Sequence, residues 1–172
     1  MIPISSALSG GLTLSKSSCN RSELKLNNEV LGTLHKPSFW ASEFVAETRS
    51  GRWTFRRGGF CGTGAQIVDS TTQQSIATSK SGWGGRGTLT FADGQKFEVE
   101  CTGWWRPVWS VLTENRQPVL QIHTREKTVD LAAGAAVAPV SDDRLTLLIL
   151  FTWYCALRAE EDAATAVLVA AS

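Results

Sequence analysis

Along most of this chain, apolar and polar residues alternate in short runs broken by turn-forming residues. Trp53 and Phe55 alternate with Arg52, Thr54 and Arg56, and Phe97, Val99 and Cys101 with Glu98 and Glu100. Leu120 and Ile122 alternate with Gln121 and His123 in the same way. A period of two marks a strand with one buried face. The runs predict strands over 23–26, 29–34, 42–48, 51–57, 65–69, 75–79, 86–91, 96–102, 108–113, 118–124 and 128–137, and a short one near Leu12. Asn27-Asn28 and Ser50-Gly51 sit at hairpin positions, and Asp93-Gly94 is the strongest hairpin signal in the chain.

The pattern then changes. Residues 145–157, LTLLILFTWYCAL, hold nine large apolar side chains in thirteen positions, and no face of a helix drawn through them is polar. A helix that is apolar all round is buried in protein or lies in a membrane. Ser141, Asp142 and Asp143 precede it, as suits a helix N-terminus, and predict a helix over about 142–158. Thirteen residues at ~1.5 Å each reach ~20 Å, short of a ~30 Å hydrocarbon core. The flanking charges of Asp142, Asp143, Arg144 and Arg158 prevent extension, so a buried core helix is expected, with no transmembrane span.

About twelve strands joined mostly by hairpin-length turns predict antiparallel neighbours. A sheet of that size must split in two or close, and closure removes its exposed edges. A closed barrel of this strand number has a void that its own side chains do not fill, and the apolar helix is the natural filler. The predicted fold is mainly β: a closed antiparallel barrel around one hydrophobic C-terminal helix. The chain divides into a loose leader over 1–20 with at most one short strand, the barrel and helix over 21–162, and a tail over 163–172.

Composition changes this picture little. The 172 residues suit one domain, and the net charge of +1 gives no global pull towards nucleic acid. Cys19, Cys61, Cys101 and Cys155 are widely spaced and form no CxxC pair, and no signal peptide is evident. Four free thiols in a reduced, cytoplasmic setting are expected.

Catalytic signatures are missing. SGWGGRG over 81–87 lacks the GK[ST] ending of a phosphate loop, no serine lies in a GxSxG elbow, and His35 and His123 have no ligand at metal spacing. No enzyme activity, cofactor or metal site is expected. The tryptophans Trp104, Trp105 and Trp109 are expected to pack a barrel end. A local charge bias remains. Arg49, Arg52, Arg56, Arg57, Lys80 and Arg86 face the single acid Asp69, so the segment carries +5. If the connections fold to one end of the barrel, these cations converge into a site for an anionic head group.

The segments GTLHKPSFW (32–40), TRSGRWTFRRGGF (48–60), the Asp93-Gly94 hairpin, WWRPVW (104–109) and the final LTLLILFTWYCALR together resemble the Tubby C-terminal-like superfamily. The likeness is to its phospholipid-scramblase and LURP-one-related branch, in small bacterial versions, over about 23–160. It implies a twelve-stranded barrel around a hydrophobic helix. It also implies a non-enzymatic module that engages anionic phospholipid head groups, or a protein partner, at the membrane surface. The alternative it implies is a scramblase-like carrier that holds a lipid or other hydrophobic ligand in the barrel.

Overall fold

The computed structural model describes residues 11–58, 64–81, 85–132 and 140–170. The first ten residues of the leader, residues 59–63 with Cys61, the middle of the glycine-rich run, the expected end of the last strand and the final two residues lie outside the described residues. Twelve strands are present: β1 (Leu12–Ser18), β2 (Arg21–Leu26), β3 (Glu29–His35), β4 (Phe44–Thr48), β5 (Gly51–Gly58), β6 (Gly64–Asp69), β7 (Ser75–Ser81), β8 (Arg86–Phe91), β9 (Lys96–Thr102), β10 (Val108–Thr113), β11 (Pro118–His123) and β12 (Thr128–Leu131). Each pairs antiparallel with its sequence neighbour, and β1 returns to β12 to close the barrel. The closing register sets Leu12 opposite Val129 and Thr13 opposite Thr128.

Closure corrects the leader. Its one strand is a stave of the barrel, which therefore begins at Leu12 and not near residue 21. The short strand expected near Leu12 is present, and only its Leu12 and Leu14 face the core before it runs on through a lysine and serines to Ser18. The turns follow their chemistry. Asn27 and Asn28 both adopt positive φ, 48° and 72°, as a two-residue hairpin loop demands, and Gly94 does so at 87°.

The helix α1 (Asp142–Ala170) fills the barrel. The Oγ of Ser141 accepts the backbone N–H of Arg144, satisfying one of the first free donors. Every residue from Leu145 to Tyr154 is buried, including Thr146 and Thr152, whose hydroxyls donate back to the carbonyls of Asp142 and Leu148. The wall approaches closely at Gly32, where an added Cβ would lie 3.0 Å from Leu150 Cδ1. The helix runs twelve residues past Arg158, which corrects the predicted end and makes the expected tail helical as far as Ala170. Nothing in AEEDAATAVLVA breaks a helix, and the Arg158–Glu161 pair at i,i+3 supports the exit turn. Among the described residues, no helix is long and apolar enough to cross a membrane.

The helix gives the barrel two distinct ends. At the start end Arg144 binds Asp93 at 2.7 Å and stacks over Phe91 at 4.3 Å. At the exit end Lys36 binds Glu161 at 2.5 Å and Arg57 binds Asp162 at 2.6 Å.

Candidate binding face at the helix exit

Strand direction sorts the six basic residues singled out in the sequence. Arg49 and Arg52 flank the β4–β5 turn at the start end, where Arg49 pairs with Glu29 and Arg52 with Glu47 at 3.5 Å. Arg56 faces outward on β5 and donates from Nε to Gln66 at 3.2 Å. Arg57, Lys80 and Arg86 lie at the exit end, at the termini of β5, β7 and β8. Arg57, Lys80 and Arg86 therefore share one end, Arg49 and Arg52 lie at the other, and Arg56 is held on the outer wall, because a strand carries its first and last residues to opposite ends of the barrel. Even the three differ in facing. Arg57 pairs with Ala65 across the sheet and points inward, whereas Lys80 and Arg86 stand outside, Arg86 3.5 Å from Glu100.

Arg158 joins them from the helix, and the sequence reading did not place it in the site. Its position was the available signal, since the first charge after an apolar core helix sits where that helix leaves the barrel. One of its amino groups binds Glu161 at 2.8 Å, while its Nε is buried without a hydrogen-bond partner.

Arg57 and Arg158 rim a cleft of about 330 Å³ between the helix and the inner wall of β5–β10, and the start of β8 at Arg86 and Gly87 borders it. Ala65, Ser79, Ser81 and Gly87 line the wall, Tyr154 and Cys155 the helix side, and Val99 and Trp109 the far wall. The cleft exists because small residues occupy successive inward positions there, while the helix approaches most closely β3, β4, β10 and β11. Burial, with a smaller effect of neighbouring Cys155, pushes the Tyr154 hydroxyl up to about 12, and burial alone does the same to the Cys155 thiol. Neither group brings negative charge into the cleft near neutral pH.

The same end presents exposed aromatic rings. Phe39 and Trp40 pack edge to face in the β3–β4 connection, centroids 5.2 Å apart, with Trp40 89% exposed. Trp104 and Trp105 project from the β9–β10 connection, 92% and 77% exposed. This overturns their expected role as packing for the barrel end; of that cluster only Trp109 packs against the core. At Gly103 a φ of 84° turns the chain into this loop, and a Cβ there would meet the Arg106 carbonyl at 2.6 Å. In the closed ring of twelve strands the two aromatic loops lie on opposite sides of the mouth, with the helix leaving between them.

His123 pairs with Asp130 at 3.0 Å on the outer face, and the described residues contain no group of three or more His, Cys, Asp or Glu that could hold a metal. Cys19, Cys101 and Cys155 are free. No protein-family model, curated protein or solved structure matches the chain.

Proposed function

We propose that this protein is a non-enzymatic binding module that docks its helix-exit end on an anionic phospholipid surface. The reading rests on one coincidence. Trp40, Trp104 and Trp105 stand exposed at the same end of the barrel as Lys36, Arg57, Lys80, Arg86 and Arg106. Amphipathic aromatic rings favour the membrane interface, and cations beside them are attracted to anionic lipid by about 1 kcal/mol each. A soluble surface has no need of three bare tryptophans on two loop tips. The resemblance to the Tubby and scramblase families agrees with this role, and the anionic cytoplasmic leaflet is its natural setting.

The test is sedimentation with vesicles of phosphatidylcholine alone or mixed with phosphatidylserine, at low and high salt. Binding is expected to the mixed vesicles and to weaken as salt rises. Absence of binding at low salt overturns the docking reading and leaves a protein partner as the occupant of this end.

A further inference from the structure

We propose that the cleft beside the helix binds a single-chain amphiphile with an anionic head, a carboxylate or a phosphate monoester, taken up as a free molecule. This goes beyond membrane docking and does not depend on it. Three observations carry it.

The first is shape. The 330 Å³ cleft falls in the range of small-molecule sites, which are concave and mostly apolar with a few polar groups at fixed places. Its apolar part runs inward between Ala65, Val99 and Trp109 on the wall and Tyr154 and Cys155 on the helix. Ala65, Ser79, Ser81 and Gly87 are small where large side chains fill much of the inner layer. Ser79, for example, stands directly opposite the fully buried Leu89, so a chain slot occupies space that side chains fill elsewhere.

The second is charge. Two guanidinium groups, those of Arg57 and Arg158, line the cleft against the single carboxylate of Asp162. The other acids nearby are shared: Glu161 between Arg158 and Lys36, and Glu100 between Arg86 and Arg116. A planar fork of donors suits carboxylate and phosphate oxygens.

The third is an unsatisfied donor. A buried N–H without a partner is costly, and the Arg158 Nε is such a group on a residue that lines the cleft. An anionic head that draws the Arg158 side chain from Glu161 towards the cleft would give this group an acceptor. Apolar chain inward and anionic head at the arginine rim is the one orientation that uses all three features.

The experiment is titration calorimetry of the full chain with dodecanoate below its critical micelle concentration, without vesicles, and with dodecanol and inorganic phosphate as separate probes. Dodecanoate should bind one to one, and dodecanol about tenfold or more weakly, the loss expected for hydrogen bonds to a charged group. Phosphate alone should bind more weakly than dodecanoate, lacking the chain. Ser79→Leu fills the slot and should abolish binding, and Arg158→Gln should weaken it. Asp162→Asn removes the competing carboxylate and should tighten binding by about threefold, the scale of one exposed ion pair. Should Ser79→Leu fold poorly, the wild type gives a second measure: saturating dodecanoate should slow alkylation of Cys155 and leave that of exposed Cys19 unchanged. No heat from dodecanoate and no protection of Cys155, or equal affinity for dodecanol, would overturn the proposal. Vesicle binding without these signs would leave docking standing and the cleft without its ligand.

Discussion

The ring of Phe55 on the barrel wall meets the ring of Phe151 on the helix edge to face, with centroids 5.7 Å apart and both side chains fully buried. This contact joins the strand pattern to the apolar stretch, since neither ring has a core without the other element. Phe151→Ala is expected to destabilise the protein by about 3–5 kcal/mol, and Phe55→Ala by a similar amount. In a double-mutant cycle by denaturant unfolding, the pair should cost less than the sum, as the ring contact is lost once. Strict additivity would mean that the two rings do not touch.

A charge in the middle of the helix tests its enclosure more severely. Leu148 is fully buried, and Leu148→Asp places a carboxylate there with no partner. The cost is several kcal/mol, enough to prevent folding. The variant should be recovered aggregated or without near-ultraviolet circular dichroism. A monomer with an unchanged spectrum would show that position 148 faces water.

The response to pH centres on His35. Burial chiefly holds its imidazole below the ordinary 6.5, Arg21 and Arg52 push it the same way, and Glu47 opposes them; its Nδ1 is buried without a partner. The unfolded chain therefore takes up a proton near 6.5 that the folded protein refuses until lower pH. Stability from this group is complete above about 6.5 and falls as pH drops towards the folded value. Asp69, held down by the backbone N–H groups of Thr72 and Thr71, and Asp93, held down by Gln95 N–H and Arg144, lose their contributions only in the acid range. Between pH 7 and 5, His35→Gln should flatten the slope of unfolding free energy measured in urea. An unchanged slope would assign that window to another group.

The thiols divide by environment. Cys19 is exposed, whereas burial raises the Cys155 thiol to about 12 and also raises Cys101. Because the thiolate is the reacting form, iodoacetamide at pH 8 should, of these three described thiols, label Cys19 first and Cys155 slowest in peptide mass mapping. Rapid labelling of Cys155 in the folded protein would contradict the packing at the helix exit.

Much of the architecture was legible because barrel strands obey a strict alternation and hairpin turns a strict chemistry. Trp53 and Phe55 face in and Arg52 and Arg56 out, as the period of two requires, and Asp93-Gly94 turns where it should. β1 was legible only as a short strand near Leu12, since two leucines among serines and a lysine carry little pattern; what makes it a stave of the barrel is pairing at a distance with β12. The helix past Arg158 was missed for a related reason. Its residues are held by backbone propensity and not by burial, so no hydrophobic period marks them. The site was half legible. Charge density along the chain grouped Arg52 with Arg57, but only strand direction tells which end of a barrel each reaches. Exposure of Trp104 and Trp105 had no sequence signal at all, because an aromatic cluster reads the same whether it packs a barrel end or leaves it bare.

That separation of ends yields the sharpest functional prediction. Arg52 lies five residues before Arg57 on β5, about 17 Å along the strand at ~3.3–3.4 Å per residue. It pairs with Glu47 at the start end, away from the proposed docking face. Arg52→Ser should therefore leave binding to anionic vesicles unchanged. Arg106 shares its loop with Trp104 and Trp105, and Arg106→Ser should weaken binding about fivefold, the equivalent of ~1 kcal/mol. The aromatic contribution has a different signature. At high ionic strength the screening length shrinks to a few ångströms, so the cations fade while the rings do not. Trp104→Ala/Trp105→Ala should accordingly remove the binding that survives salt, and Arg106→Ser should remove only salt-sensitive binding. Measured by vesicle sedimentation, an equal loss from Arg52→Ser and Arg106→Ser would place the docking surface on the side of the barrel and not at the helix exit.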